Sequence, residues 1–222
     1  MWERAGAASG IAFVAFLLAA FIIVPDAPPA LVDPVADIRS FYVDHSSAIQ
    51  ASTYLTGLAG LFFLLFVSAL GGALRQAEPD GSARVVLPAG AITLALAFVN
   101  IAVVDALATR VAAEADQAVI RALYDVQAFV ITMTAFPIAA LVGAVSLASR
   151  RAGLFPSLVD RLGFVLVIGW LVSGFGVVAE SGAFSPTGAV GLVVLLLWLA
   201  WTLAVSASLL RRSGALASPD AT

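Results

Sequence analysis

The side chains best placed to do chemistry in this sequence are a few ionisable groups at the ends of long apolar stretches. Asp105, Asp125 and Glu180 come from three different stretches, and His45, the only histidine, directly follows Asp44 at the entry to another. Ionisable groups in membrane segments are costly and by default mark a path for ions, protons or substrate. Histidine changes charge near neutrality and can relay a proton or sense pH. Asp44, His45, Asp105, Asp125 and Glu180 could therefore line one acidic vestibule for protons, cations or a small solute. The plainer reading is a set of separate carboxylates at the membrane boundary, each reached by water, with His45 a solvated neighbour. Arg121 stands four residues before Asp125, the spacing of a pair on one helical face.

Asn100 is the deepest strongly polar side chain, and Thr93 lies two turns earlier on the same helical face. At that depth an amide must find an interhelical hydrogen bond or water, so it serves either as glue between helices or as cavity lining. Gln127 and Ser68 pose the same question more weakly. Pro137, inside another apolar stretch, withholds the N–H that would bond the Met133 carbonyl and should kink that helix, as a hinge or simply for shape.

Several chemistries are excluded. There is no cysteine, hence no disulfide, thiolate metal site or thiol catalysis. One histidine cannot supply the ligand set of a metal hydrolase or a haem held by paired histidines. An intramembrane serine protease needs a serine and a histidine at depth, whereas His45 sits at a rim. An intramembrane aspartyl protease needs two facing aspartates at mid-depth. No glycine-rich phosphate loop follows a strand. The expectation is a protein that is not an enzyme and holds no cofactor or metal. The net charge of -3 is small and says nothing about nucleic acid, but the lack of a basic tract excludes it as a partner.

The elements that position these groups follow from composition. The 222 residues are 62% hydrophobic and 11% charged, with a mean hydropathy of +1.06, more apolar surface than a soluble domain can hide. About 20 apolar residues cross the hydrocarbon core, and six such stretches occupy 6–24, 47–74, 86–106, 122–148, 162–179 and 187–210. The fold class expected is all-α: a polytopic bundle of six transmembrane helices, one domain over 1–212 with a polar tail at 213–222. The basic start at Met1-Trp2-Glu3-Arg4 resembles a signal peptide, but Pro25-Asp26-Ala27-Pro28-Pro29 makes a poor cleavage site and favours a retained anchor. Trp2 suits an interfacial belt.

Arg4, Arg75, Arg84, Arg150, Arg151, Arg161, Arg211 and Arg212 fall on one side, against Arg39, Arg110 and Arg121 on the other. That bias predicts a cell-membrane protein with both termini cytoplasmic and the carboxylates above at the outer face. All eleven basic residues are arginine, which with abundant Ala, Gly and Val suggests a GC-rich bacterial genome.

Helix starts are also marked. Ser47 with Gln50 reads as a capping box, and Ser185-Pro186 as an N-cap followed by proline at the first helical position. Asp33-Pro34 opens a short helix to about Val43, whose apolar face (Val35, Ile38, Phe41, Tyr42) could lie on the bilayer. Small residues four apart, such as Ser52, Thr56 and Gly60, mark packing seams. The expected partners are the lipid bilayer and either a second membrane protein or a second copy. Phe41-Tyr42-Val43-Asp44 faintly matches Leu123-Tyr124-Asp125, as a parallel repeat of hairpins would.

At Phe41-Tyr42-Val43-Asp44-His45, and again at Leu154-Phe155-Pro156-Ser157 through Leu162-Gly163, the chain resembles a group of actinobacterial six-span membrane proteins grouped as a domain of unknown function. The resemblance extends along most of the chain, through short motifs. Leu158 stands where members often have tryptophan. It implies the same six-span architecture and carries over no functional residue. Two functions remain open: a non-enzymatic accessory or assembly component that binds a membrane partner or lipid, and a small carrier or channel with an acidic vestibule.

Overall fold

In lipid a backbone must satisfy its own N–H and C=O groups, so long apolar runs become helices. The computed structural model describes residues 2–78, 81–179, 181–186 and 188–215, and side chains from Arg4 to Arg212 within those ranges. The chain is all-α: α1 Trp2–Ile23, α2 Val35–Asp44, α3 Ser46–Ala77, α4 Ala83–Ala106, α5 Ala112–Glu114, α6 Gln117–Met133, α7 Ala135–Ala152, α8 Ser157–Gly174 and α9 Ala189–Ala215. A π-helical turn, Leu107–Val111, joins α4 to α5, and a 3₁₀ turn, Phe175–Val177, extends α8. Six stretches, Arg4–Ile23, Ser46–Ala77, Ala83–Glu114, Gln117–Ala152, Ser157–Val177 and Ala189–Arg212, are long and apolar enough to cross a membrane. The chain is a multi-pass membrane protein.

The spans form a ring in chain order: α1 on α3, α3 on α4, α4 on α7, α7 on α8, α8 on α9, and α9 back on α1. Aromatic side chains fill its centre. Trp198 meets Phe13, Phe63 and Trp170 edge-on, with ring centroids 5.5, 5.9 and 5.8 Å away, and Phe13 and Phe63 touch at 5.1 Å. Glycine sets the closest approaches. A Cβ on Gly163 would lie 1.9 Å from Ser146 Oγ, and one on Gly10 would lie 2.1 Å from Ser206 Oγ and 2.7 Å from the Phe66 ring. Gly153, in the left-handed region at φ 63°, ends α7 and turns the chain toward α8.

The fourth span is broken at Thr134 between α6 and α7. Pro137 lies three residues on and has no N–H for the Met133 carbonyl. Beyond this break α7 packs on α8, while α6 leans on α4 and α2.

A second apolar cluster, Ile38, Tyr42, Ile49, Leu107, Ala108, Ala112, Ile120 and Tyr124, closes one end of the ring. This cap corrects the expectation for α2. Its apolar face does not lie on a bilayer: Ile38 and Tyr42 are buried, and the helix packs on α6 and α5. Three helix starts also differ. Residue 45, not Ser47, precedes α3, and Gln50 Nε2 donates to Ser46 Oγ at 3.2 Å while the Ser46 hydroxyl reaches the Ala108 carbonyl at 2.8 Å. Asp33 turns back to accept from the Ala30 N–H at 2.7 Å and leaves α2 uncapped. Ser185 closes a turn on the Gly182 carbonyl, four residues before α9.

Candidate functional site

The cap is built on a proline problem. Its connecting segment, 24–34, carries Pro25, Pro28, Pro29 and Pro34, which supply no N–H, so its carbonyls need donors from elsewhere. α6 provides them. The Tyr124 hydroxyl donates to the Pro29 carbonyl, and the Arg121 guanidinium donates to the carbonyls of Leu31 and Asp33. From α2, Arg39 reaches the Ala115 carbonyl at 2.6 Å and that of Ala113 at 3.3 Å. Tyr42 stands edge-on to Tyr124 at 6.1 Å, and burial, then Tyr124, pushes its phenol up from the ordinary tyrosine value. The tyrosines of the two matching sequence segments thus meet. Replacing Arg121 by leucine should cost about 2 kcal/mol, since charge-assisted bonds contribute ~1.5–3 kcal/mol each and this side chain keeps partial access to solvent. Thermal unfolding and proteolysis of segment 24–34 would measure it. A variant as stable and as protected as wild type would show that Arg121 does not anchor the segment.

His45 occupies the corner between α2 and α3. Its Nδ1 lies 2.9 Å from the Phe41 carbonyl and its Nε2 lies 2.9 Å from Asp26 Oδ2. Asp44, the sequence neighbour, is exposed and lies outside that pair. Across the α3–α4 seam, Asp105 Oδ1 is 3.1 Å from the Thr53 hydroxyl, whose single proton is shared with the Gln50 carbonyl at 2.9 Å. Asp125 Oδ1 stands 3.9 Å from Arg121 Nη1, so the i,i+4 pair exists, though Arg121 spends its stronger bonds on carbonyls. Glu180 lies outside the described residues. Asp26, Asp105 and Asp125 therefore have different neighbours, and no three His, Cys, Asp or Glu among the described residues could hold one metal ion.

Asn100 Nδ2 donates to the Gln127 carbonyl at 2.7 Å and faces Gln127 Oε1 at 3.4 Å, joining α4 to α6. Thr93 is buried and bonds back to its own helix at the Ala89 carbonyl, 2.9 Å away.

Sequence reasoning passed over Asp160, in the first turn of α8. It is buried, and its Oδ1 has no partner among the described residues. Among the described residues the other buried side-chain atoms without partners are Ser146 Oγ, Trp170 Nε1, Trp198 Nε1 and Ser206 Oγ, all on α7, α8 and α9. On the outside of α8 an apolar groove of about 420 Å³ is lined by Ile168, Leu171, Val172, Phe175 and Phe184.

Ring and cap together define a polytopic α-helical membrane protein. No family model, curated protein or solved structure matches the chain.

Proposed function

We propose that this is a non-enzymatic component of the cell membrane that works by binding a membrane partner or lipid, with both termini cytoplasmic and the cap outside. The observation that carries the reading is the filled ring: Trp198 and its aromatic neighbours occupy the place a conduction path would take. The exposed apolar groove on α8 adds a surface to which an acyl chain or a partner helix can fit.

Purification from native membranes with chemical crosslinking tests the reading. A retained lipid or a crosslinked membrane protein is the expected result; a solitary protomer carrying neither would count against it. In liposomes, ion flux equal to that of empty vesicles is expected. Flux above that level would instead favour a small carrier or channel using the carboxylates at the cap.

A further inference from the structure

We propose that His45 is a proton-operated latch that holds the proline-rich segment after α1 against the corner between α2 and α3. The argument is one of donors and acceptors. The Phe41 carbonyl can only accept, so Nδ1 must carry a hydrogen to bond it at 2.9 Å. The ionised Asp26 carboxylate also only accepts, so Nε2 must carry a hydrogen to bond Oδ2 at 2.9 Å. Both contacts are made together only by the imidazolium. When Nε2 gives its proton to water, a lone pair faces a carboxylate oxygen and that contact turns repulsive. The Phe41 ring lies close by, its centroid 5.0 Å from that of His45, within the range over which an aromatic ring favours a cation.

The rest of the segment is held by groups other than His45. Residues 29–33 are fastened by Tyr124, Arg121 and the Asp33 turn. Only the stretch Pro25–Pro28 depends on His45, and Asp26 is 68% exposed, so it can swing into water. The other charged groups around the corner have their own places. Asp44 is exposed, Arg39 is spent on carbonyls, Arg110 pairs with Glu114 at 3.5 Å, and Arg121 lies against Asp125 and the carbonyls of Leu31 and Asp33. From α3 the corner receives neutral Ser46 and Gln50. The latch is therefore closed while both ring nitrogens carry a proton and opens when Nε2 loses its own.

The chain has no cysteine, so a spin label on A27C reports this stretch alone, in an otherwise unaltered protein in lipid nanodiscs. An exposed ion pair is weak, which limits the change in open population to about two- to fivefold. That rise in the mobile fraction between about pH 5 and 8 is the expected result, together with loss of one ring N–H from the single histidine seen by nitrogen NMR. In A27C/H45A the label should be mobile at both pH values. In A27C/D26N the response should vanish, because a carboxamide can donate to a neutral Nε2. A mobile fraction in A27C alone that does not change while the imidazole titrates would overturn the latch, and so would a pH response that survives in A27C/H45A.

Discussion

Gly163→Ala should destabilise the bundle by about 1–3 kcal/mol, the range for a methyl forced into a packed interior. The added Cβ would sit 1.9 Å from Ser146 Oγ, 3.1 Å from Ser146 Cβ and 3.2 Å from Trp201 Nε1. The nearest of these atoms is the end of a short side chain, so the hydroxyl will rotate first. It has no hydrogen bond to lose, but Ser146 Cβ cannot retreat without moving α7. The indole is held as well, since Trp201 Nε1 donates to the Val159 carbonyl at 3.1 Å. Ser146→Ala alone should be close to neutral, because it removes a buried hydroxyl without a partner. Combined with Gly163→Ala it should recover part of the loss, giving a coupling of at least 0.5 kcal/mol in a double-mutant cycle. Thermal unfolding of the four proteins in one detergent is sufficient. If Gly163→Ala melts with the wild type, α7 and α8 do not approach as closely as described.

Six helices were legible because each apolar run is long enough to have no soluble alternative. Their ends were less so. α8 starts at Ser157, not near Leu162, since a turn that includes Ser157, Asp160 and Arg161 scores as loop by hydropathy, although it begins after a proline as helices often do. The direction of α2 was not legible at all. A face of Val35, Ile38, Phe41 and Tyr42 fits lipid and protein equally, and what decides is the set of arginine and tyrosine donors that draws the proline-rich segment onto α6. The same limit applies to His45. Adjacent residues near the end of a helix point about 100° apart, so adjacency to Asp44 does not mark a partner, and Asp26 is brought in only by the folded path of the segment. Two stretches singled out in the sequence, Phe41-Tyr42-Val43-Asp44-His45 and Leu154-Phe155-Pro156-Ser157 through Leu162-Gly163, are both closely built corners. One holds His45; in the other the Phe155 N–H donates to Ser149 Oγ at 3.0 Å and Gly163 admits Ser146.

Trp198→Ala should cost about 3 kcal/mol, the low end of the ~3–5 kcal/mol seen for removing a buried tryptophan. In a membrane the displaced apolar surface has lipid as its alternative, not water, so contact and cavity terms dominate what is lost. Trp198→Phe separates packing from hydrogen bonding. Phenylalanine keeps a ring against Phe13, Phe63 and Trp170, and it deletes an indole N–H that has no partner among the described residues. Leaving out an unsatisfied buried donor offsets some of the lost volume, so the phenylalanine variant should retain more than half of the stability that alanine forfeits. The same pair of variants bears on function. In liposomes Trp198→Ala should leave ion flux at the level of empty vesicles, because the vacated position is walled mainly by the aromatic rings of Phe13, Phe63 and Trp170. A leak that appears in Trp198→Ala and not in Trp198→Phe would mean that the aromatic cluster stoppers a path through the ring, and the binding role proposed above would give way to a gated channel.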